Sequence, residues 1–258
     1  HENIVKVYDI EELYRTVFII MEHLEGASLA DLMHDGKRLP LPRALNILVQ
    51  VCRGLAYAHE HGIIHGDIKP GHIVVQPNDH TKVVDFGLAR APGTRGDRLV
   101  GTPRYFSPEQ IRMAVLDERS DIYSLGIAAY RIITGREAFQ ETEIASLLQC
   151  HLREHIPDPR ALVPDLPEEL HAFLEKATRK DPNERYRSIR EIIRELEPLL
   201  GKLGVEPVGD YKKHVNMMGL FLFYRDEHEE MLKRLVTDFG KELKKIGAVL
   251  RDADFKDV

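Results

Sequence analysis

Apolar residues recur along this chain in two rhythms, and the rhythm changes at Gly62. Ahead of it, residues 4–10 (Ile4-Val5-Lys6-Val7-Tyr8-Asp9-Ile10) and 17–22 (Val17-Phe18-Ile19-Ile20-Met21-Glu22) are short β-rich runs joined by the polar stretch 11–16. Such a pair predicts a hairpin. A helical pattern covers 28 to about 33, and a longer one covers 42–61. In the longer one Ala44, Leu45, Leu48, Val51, Cys52, Leu55 and Ala58 fall on one face at three-and-four spacing. Pro42 suits a first turn and Gly62 stops the helix. Beyond Gly62, short β-like runs (Ile63-Ile64, Ile73-Val74-Val75, Lys82-Val83-Val84) alternate with polar turns. Residues 86–108 are rich in Gly, Pro, Thr and Arg and read as a long loop, which inside a compact domain is usually functional. Helical patterns follow at about 119–134, 142–153, 167–178 and 187–199, with Pro157, Pro159, Pro164 and Pro167 breaking the interval between two of them.

From about Gly201 the character shifts. Residues 201–258 carry 11 basic and 11 acidic side chains, so the net charge of −6 belongs to residues 1–200. A long helix is expected between about 211 and 251. Leu232, Leu235, Phe239, Leu243, Ile246 and Leu250 form a heptad-like seam of under three heptads. Hydrophobic residues at 43% and charged residues at 30% exclude a disordered tail, a collagen-like fibre and a disulfide-stapled mini-protein. The longest apolar run, 217–224, falls far short of the roughly twenty residues of a membrane span. Lys plus Arg number 36 against 42 Asp plus Glu, a poor match for nucleic acid, whose phosphates attract basic faces. Cys52 and Cys150 suit a reducing compartment, hence a cytoplasmic location, and offer no metal cluster. The sequence opens on His1 inside a strand pattern, which reads as a fragment whose beginning lies upstream.

The chemistry concentrates in Ile64-His65-Gly66-Asp67-Ile68-Lys69-Pro70-Gly71-His72-Ile73-Val74-Val75, followed eighteen residues after Asp67 by Asp85-Phe86-Gly87. Then come Gly101-Thr102-Pro103-Arg104-Tyr105-Phe106-Ser107-Pro108-Glu109, Asp121-Ile122-Tyr123-Ser124-Leu125-Gly126 and Asp181-Pro182-Asn183-Glu184-Arg185. By themselves Asp67 and Lys69 read better as a surface ion pair in a turn; Asp85 downstream reverses that reading. The ordered set resembles the protein kinase family, specifically the bacterial eukaryotic-like Ser/Thr kinases, over about residues 1–198.

The resemblance implies an α+β protein-kinase-like fold: residues 1–22 finish a truncated β N-lobe, 23–28 are the hinge, 29–198 form the mainly α C-lobe, and 199–258 are a helical extension. It implies transfer of the ATP γ-phosphate to a protein Ser or Thr hydroxyl, with Mg²⁺ (Mn²⁺ as a variant) and a protein substrate. Asp67 would orient the hydroxyl and accept its proton, Lys69 would stabilise the transferring phosphate, and Thr102 would hydrogen-bond both. Lys at this place and Thr102 point to Ser/Thr acceptors. Asp85 would hold the metal, with Gly87 freeing the backbone to turn there. Met21, Glu22, Leu24, Ser28 and Val74 would line the nucleotide: Met21 as gatekeeper, Glu22 and Leu24 through backbone groups, Val74 as floor and Ser28 on the ribose side. His65 and Phe86 with Val7 would stack between lobes. Glu109 and Arg185 would form a buried pair, and Asp121 would receive backbone N–H groups of the catalytic loop.

Three departures from the family pattern stand out. A glycine-rich loop, strand lysine and helix glutamate do not occur in the sequence. His72 stands where the family has a metal-binding asparagine; an imidazole favours softer ions than Mg²⁺. Gly66 replaces the arginine that pairs with an activation-loop phosphate, which makes such phosphorylation less of a requirement. Arg90, Arg95, Arg98 and Arg104 supply other basic groups, and Thr94 is a candidate autophosphorylation site. The rival readings are a pseudokinase that scaffolds partners, favoured by His72, and a small-molecule phosphotransferase. The sequence leaves the oligomeric state open.

Overall fold

The computed structural model describes residues 1–13, 16–87, 89–94, 99–205 and 218–222. The chain divides into two compact units, one of His1–Val5 with Leu24–His214, the other of Lys6–His23 with Val215–Val258. In the second, strands β1 (Val7–Leu13) and β2 (Thr16–Glu22) form the expected antiparallel hairpin, with Val7 opposite Met21 and Leu13 opposite Thr16. The strands run further into the polar 11–16 stretch than its composition indicated. Ile4 is not part of β1; it belongs to the larger unit and makes a parallel bridge there to Val83.

The larger unit is mainly helical. A two-residue strand β3 (Ala27–Ser28) leads into α1 (Leu29–Leu32), where Ser28 Oγ accepts from the Asp31 N–H at 3.1 Å as a helix cap. Helix α2 (Leu41–Glu60) is followed by β4 (Ile73–Val75) and β5 (Thr81–Val83), which with β3 make a small antiparallel sheet in the order β3-β4-β5. Ser28 lies opposite Val74 in it. Helices α3 (Pro108–Ile111), α4 (Glu118–Thr134), α5 (Ile144–Arg153), α6 (Glu168–Ala177) and α7 (Ile189–Lys202) complete the unit. The one-face stripe expected of α2 is too narrow: Asn46, Ile47, Val49, Gln50, Gly54 and Ala56 are buried as well. The cause is that α2 packs against α7, α4 and β5 at once, so it behaves as a core helix and not a surface one.

Strand β6 (Met218–Leu222) pairs antiparallel with β2, Glu22 opposite Met218 and Phe18 opposite Leu222, giving the order β1-β2-β6. This corrects the long helix expected over 211–251 at these five positions. The run Met218-Gly219-Leu220-Phe221-Leu222 has no polar face to present as a surface helix, and β2 offers it an unpaired edge. The remainder of that expected helix, including the seam from Leu232 to Leu250, lies outside the described residues.

Two buried electrostatic ties hold the helical unit. Arg185 meets Glu109 at the start of α3 through paired bonds of 2.7 and 2.9 Å, with side chains 0% and 8% exposed. The remaining guanidinium hydrogens go to the carbonyls of Arg119, Arg179 and Lys180. In the last turn of α2, His59 Nε2 donates to Asp121 Oδ2 at 2.8 Å, and its Nδ1 stands 3.5 Å from Glu118 in the first turn of α4. Burial opposes the charged imidazole, but the bond to Asp121 and the neighbouring Glu118 carboxylate outweigh it and hold the His59 pKa up at about 9.

Removing Glu109 strands a buried guanidinium, so Glu109→Ala should lower the unfolding free energy by about 3–5 kcal/mol in urea titrations. Arg185→Lys, with Glu109 intact, should also destabilise, because a lysine cannot make the forked contact. The His59 pKa rises from 6.5 on folding, so its contribution is complete below pH 6.5 and disappears as pH climbs through about 9. Unfolding curves measured across that range should lose up to roughly 3 kcal/mol. His59→Asn should flatten that part of the profile.

Candidate active site

The loop after α2 is fixed at both ends before any functional side chain is placed. At its start, Ile64 and Arg90 exchange backbone hydrogen bonds of 2.9 Å, tying it to the segment behind Asp85-Phe86-Gly87. At its apex, the N–H groups of His65 and Gly66 each donate to the buried carboxylate of Asp121 at 2.8 Å. The Gly66 carbonyl accepts from the Gln110 side chain at 2.7 Å. Burial raises the Asp121 pKa, but His59 and the loop donors more than offset this, and the carboxyl lies below its ordinary value. Gly66 sits at φ 78°, where a residue with a Cβ would cost about 1–2 kcal/mol. A loop in this conformation favours glycine at the place where the family pattern has arginine.

His65 is buried and fully used. Its Nδ1 accepts from the Asp67 N–H at 3.3 Å, its Nε2 donates to the Val84 carbonyl at 3.0 Å, and its ring lies 4.6 Å from that of Phe86. The chain therefore delivers Asp67 with its carboxylate 6% exposed and held from two sides. The backbone N–H of Thr102 donates to Oδ1 at 3.0 Å, and Lys69 Nζ stands 2.9 Å from Oδ2. The same ammonium donates to the Thr102 hydroxyl at 2.6 Å. Asp67, Lys69 and Thr102, thirty-five residues apart at the extremes, thus form one hydrogen-bonded group.

His72 joins this group to Asp85. Its Nδ1 donates to the Asp67 carbonyl at 2.9 Å, and its Nε2 faces Asp85 Oδ2 at 3.1 Å. Burial, then the nearby Lys69 charge, push the imidazole below its ordinary pKa. Asp85 is 40% exposed at its side chain and occupies a positive φ of 62°. Its Oδ1 accepts from the Gly87 N–H at 3.1 Å. This corrects the reason for Gly87: the turn is taken by Asp85 itself. A Cβ on residue 87 would stand 2.9 Å from that carboxylate oxygen, so glycine supplies room and not backbone freedom.

The candidate nucleotide residues divide between the two units. Met21 and Glu22 belong to β2, where the Glu22 carboxylate accepts from the Lys6 N–H at 2.8 Å. Leu24, Ser28 and Val74 belong to the larger unit, with the Ser28 hydroxyl engaged as the α1 cap. Of the long loop, Thr94 is exposed and donates to the Ala91 carbonyl, and Arg104 donates to the Phe139 carbonyl; Arg95 and Arg98 lie outside the described residues. Three contributors escaped the sequence reading. Gln110 was signalled by Ser107-x-x-Gln110, a capping box at α3 whose glutamine also reaches Gly66. His59 and the buried Asn3, which donates to Gln50 and to the Thr81 carbonyl, carried no local signal.

As to ions, an oxygen of Asp85 suits Mg²⁺, whereas the nitrogen of His72 does not belong to the all-oxygen set that ion prefers. Among the described residues, no three His, Cys, Asp or Glu side chains converge to hold a metal by themselves. Any ion here must therefore take further ligands from water or phosphate.

Known proteins are similar to this chain in sequence. Residues 1–195 match the family described as protein kinase domain. Serine/threonine-protein kinase PknB of Mycolicibacterium smegmatis is 37% identical over 202 residues, 74% of this chain and 32% of that protein. A probable serine/threonine-protein kinase of Streptomyces coelicolor is 36% identical over 219 residues, 81% of this chain and 32% of its own length. Serine/threonine-protein kinase PrkC of Bacillus subtilis is 35% identical over 196 residues, 74% of this chain and 30% of its own. The chain spans about a third of the length of these relatives. With its family match covering most of its length and its loop acids, lysine and threonine gathered in one group, this chain belongs to the protein kinase family.

Proposed function

We propose that the chain carries the phosphotransfer machinery of a bacterial Ser/Thr protein kinase. The observation that supports this best is the Asp67 carboxylate, buried yet fixed by Thr102 on one oxygen and by Lys69 on the other. A carboxylate so oriented can align an incoming alcohol and take its proton as the new O–P bond forms and the bond to the ADP leaving group breaks. Lys69 keeps its ammonium at the same place, where negative charge gathers on the transferring phosphoryl group. A divalent ion at Asp85 would supply neutralisation of the nucleotide phosphates. The acceptor is a Ser or Thr hydroxyl of a protein, in keeping with the names of the relatives. Within the larger unit, Leu24, Ser28 and Val74 are the residues that would contact ATP. Among the described residues no helix is long and apolar enough to cross a membrane. We place the reaction in the cytoplasm, in keeping with the two unpaired cysteines.

In the full-length protein, Asp67→Asn should reduce labelled phosphate transfer from ATP to a Ser/Thr protein acceptor by roughly 10²–10⁴-fold. Its unfolding curve should stay close to that of the parent. Transfer that survives Asp67→Asn would remove the proposed base. A parent that binds ATP but transfers nothing with Mg²⁺ or Mn²⁺ would leave a scaffold in place of an enzyme.

A further inference from the structure

Lys180, just beyond α6, is a cation with no acid to hold it. Its half-buried ammonium donates to the Tyr123 hydroxyl at 2.9 Å, and among the described residues no carboxylate lies within ion-pair distance of it. Aromatic rings border it instead: Nζ is 5.1 Å from the ring centre of Tyr123 and 5.2 Å from that of Phe139. The Tyr123 ring already carries a second cation, the Arg185 guanidinium, 4.9 Å from its centre. Glu109 spends both its oxygens on Arg185, so that acid is not available to the lysine. The hydrogen-bond partner of the amine is also reversible. Tyr123 is buried, its hydroxyl lies 3.1 Å from His151 Nδ1, and His151 is buried with Nε2 unbonded. Burial, then the Lys180 charge, lower the His151 pKa to about 4, so its ring is neutral, and burial raises that of the phenol. Beside an ammonium, which can only donate, the Tyr123 O–H gives its proton to Nδ1. Beside a neutral amine the same hydroxyl can turn its proton to Nζ and accept from an Nδ1–H tautomer. Lys180 therefore keeps a hydrogen bond in either protonation state.

We infer that Lys180 is a nucleophilic lysine, a site of acylation by an acyl phosphate. An amine partly withdrawn from water, next to a second cation and without a counter-ion, is one that sheds its proton easily and attacks carbonyl carbon. Burial, then the Arg185 charge, lower the Lys180 pKa to about 8, against the smaller opposing effects of Cys150 and Glu154. The neutral amine adds to the acyl carbon. The C–N bond forms as the C–O bond to phosphate breaks, the phosphate leaves with that electron pair, and the surplus amine proton passes to solvent. The amide product carries no charge, so acylation removes the cation from beside the two rings. A compact donor suits an amine that is half-buried against aromatic side chains. This chemistry needs nothing from the phosphotransfer reading.

Acetyl phosphate is the probe. The folded full-length protein is treated with it from about pH 6 to 11, and the acetylation rate of each lysine is read by peptide mass spectrometry. Lys202, 66% exposed and paired with Glu169, is the reference. At about pH 7.5 Lys180 should react about tenfold faster than Lys202. Its rate should level off beyond about pH 8, while that of Lys202 goes on rising towards the ordinary lysine range. In urea the two rates should become equal. A Lys180 rate at or below that of Lys202 in the folded protein overturns the inference, as does one that climbs without levelling until about pH 10. An excess that persists in urea also overturns it, because the reactivity then belongs to the local sequence Arg179-Lys180-Asp181 and not to the contacts with Tyr123, Phe139 and Arg185.

Discussion

A buried carboxylate, Asp121, carries the site. It is 1% exposed and binds two consecutive backbone N–H groups of a loop that otherwise has no regular structure to hold it. A charge so placed is tolerable only when its lone pairs are filled. The two amides and His59 fill them, and the same bonds that make the charge tolerable fix the path of residues 65–67. Helix α4 positions the acid, α2 positions the histidine, and both are core helices with little freedom to move. The loop thereby inherits the rigidity of the helical core.

From that fixed point the reactive groups follow by short contacts. Asp67 is delivered between Lys69 and Thr102, and the Thr102 backbone reaches it from a segment thirty-five residues downstream. The Glu109–Arg185 pair anchors the far end of that segment to the loop before α7.

The imidazole of His72 gives the site its individual character. One ring touches the backbone of Asp67 and the carboxylate of Asp85, so the two acids are registered to each other through it. An asparagine would offer one oxygen and one amide group; the imidazole offers two ring nitrogens on a rigid frame. Gly66, with its left-handed backbone, marks the other departure, and it replaces a cation next to Asp67 with a residue chosen for conformation.

The order and spacing of Asp67, Lys69, Asp85, Thr102, Glu109, Asp121 and Arg185, with the helical periods between them, were legible in the sequence. Local propensity and motif spacing are properties of the chain itself. The hairpin and, apart from the short α3, the helices of the larger unit were legible for the same reason, within a few residues at their ends. The strand at Met218–Leu222 was not, because an apolar run of five residues takes its conformation from whichever edge accepts it. Nor were the all-round burial of α2, the roles of His59 and Asn3, or the reason for Gly87. Each depends on which segments meet after folding, and burial and hydrogen-bond partners are decided by neighbours distant in sequence. The sequence by itself determined which groups the chain brings to the site. Only the tertiary structure decided which ring nitrogen of His72 faces which acid, since that requires the positions of Asp67, His72 and Asp85 together.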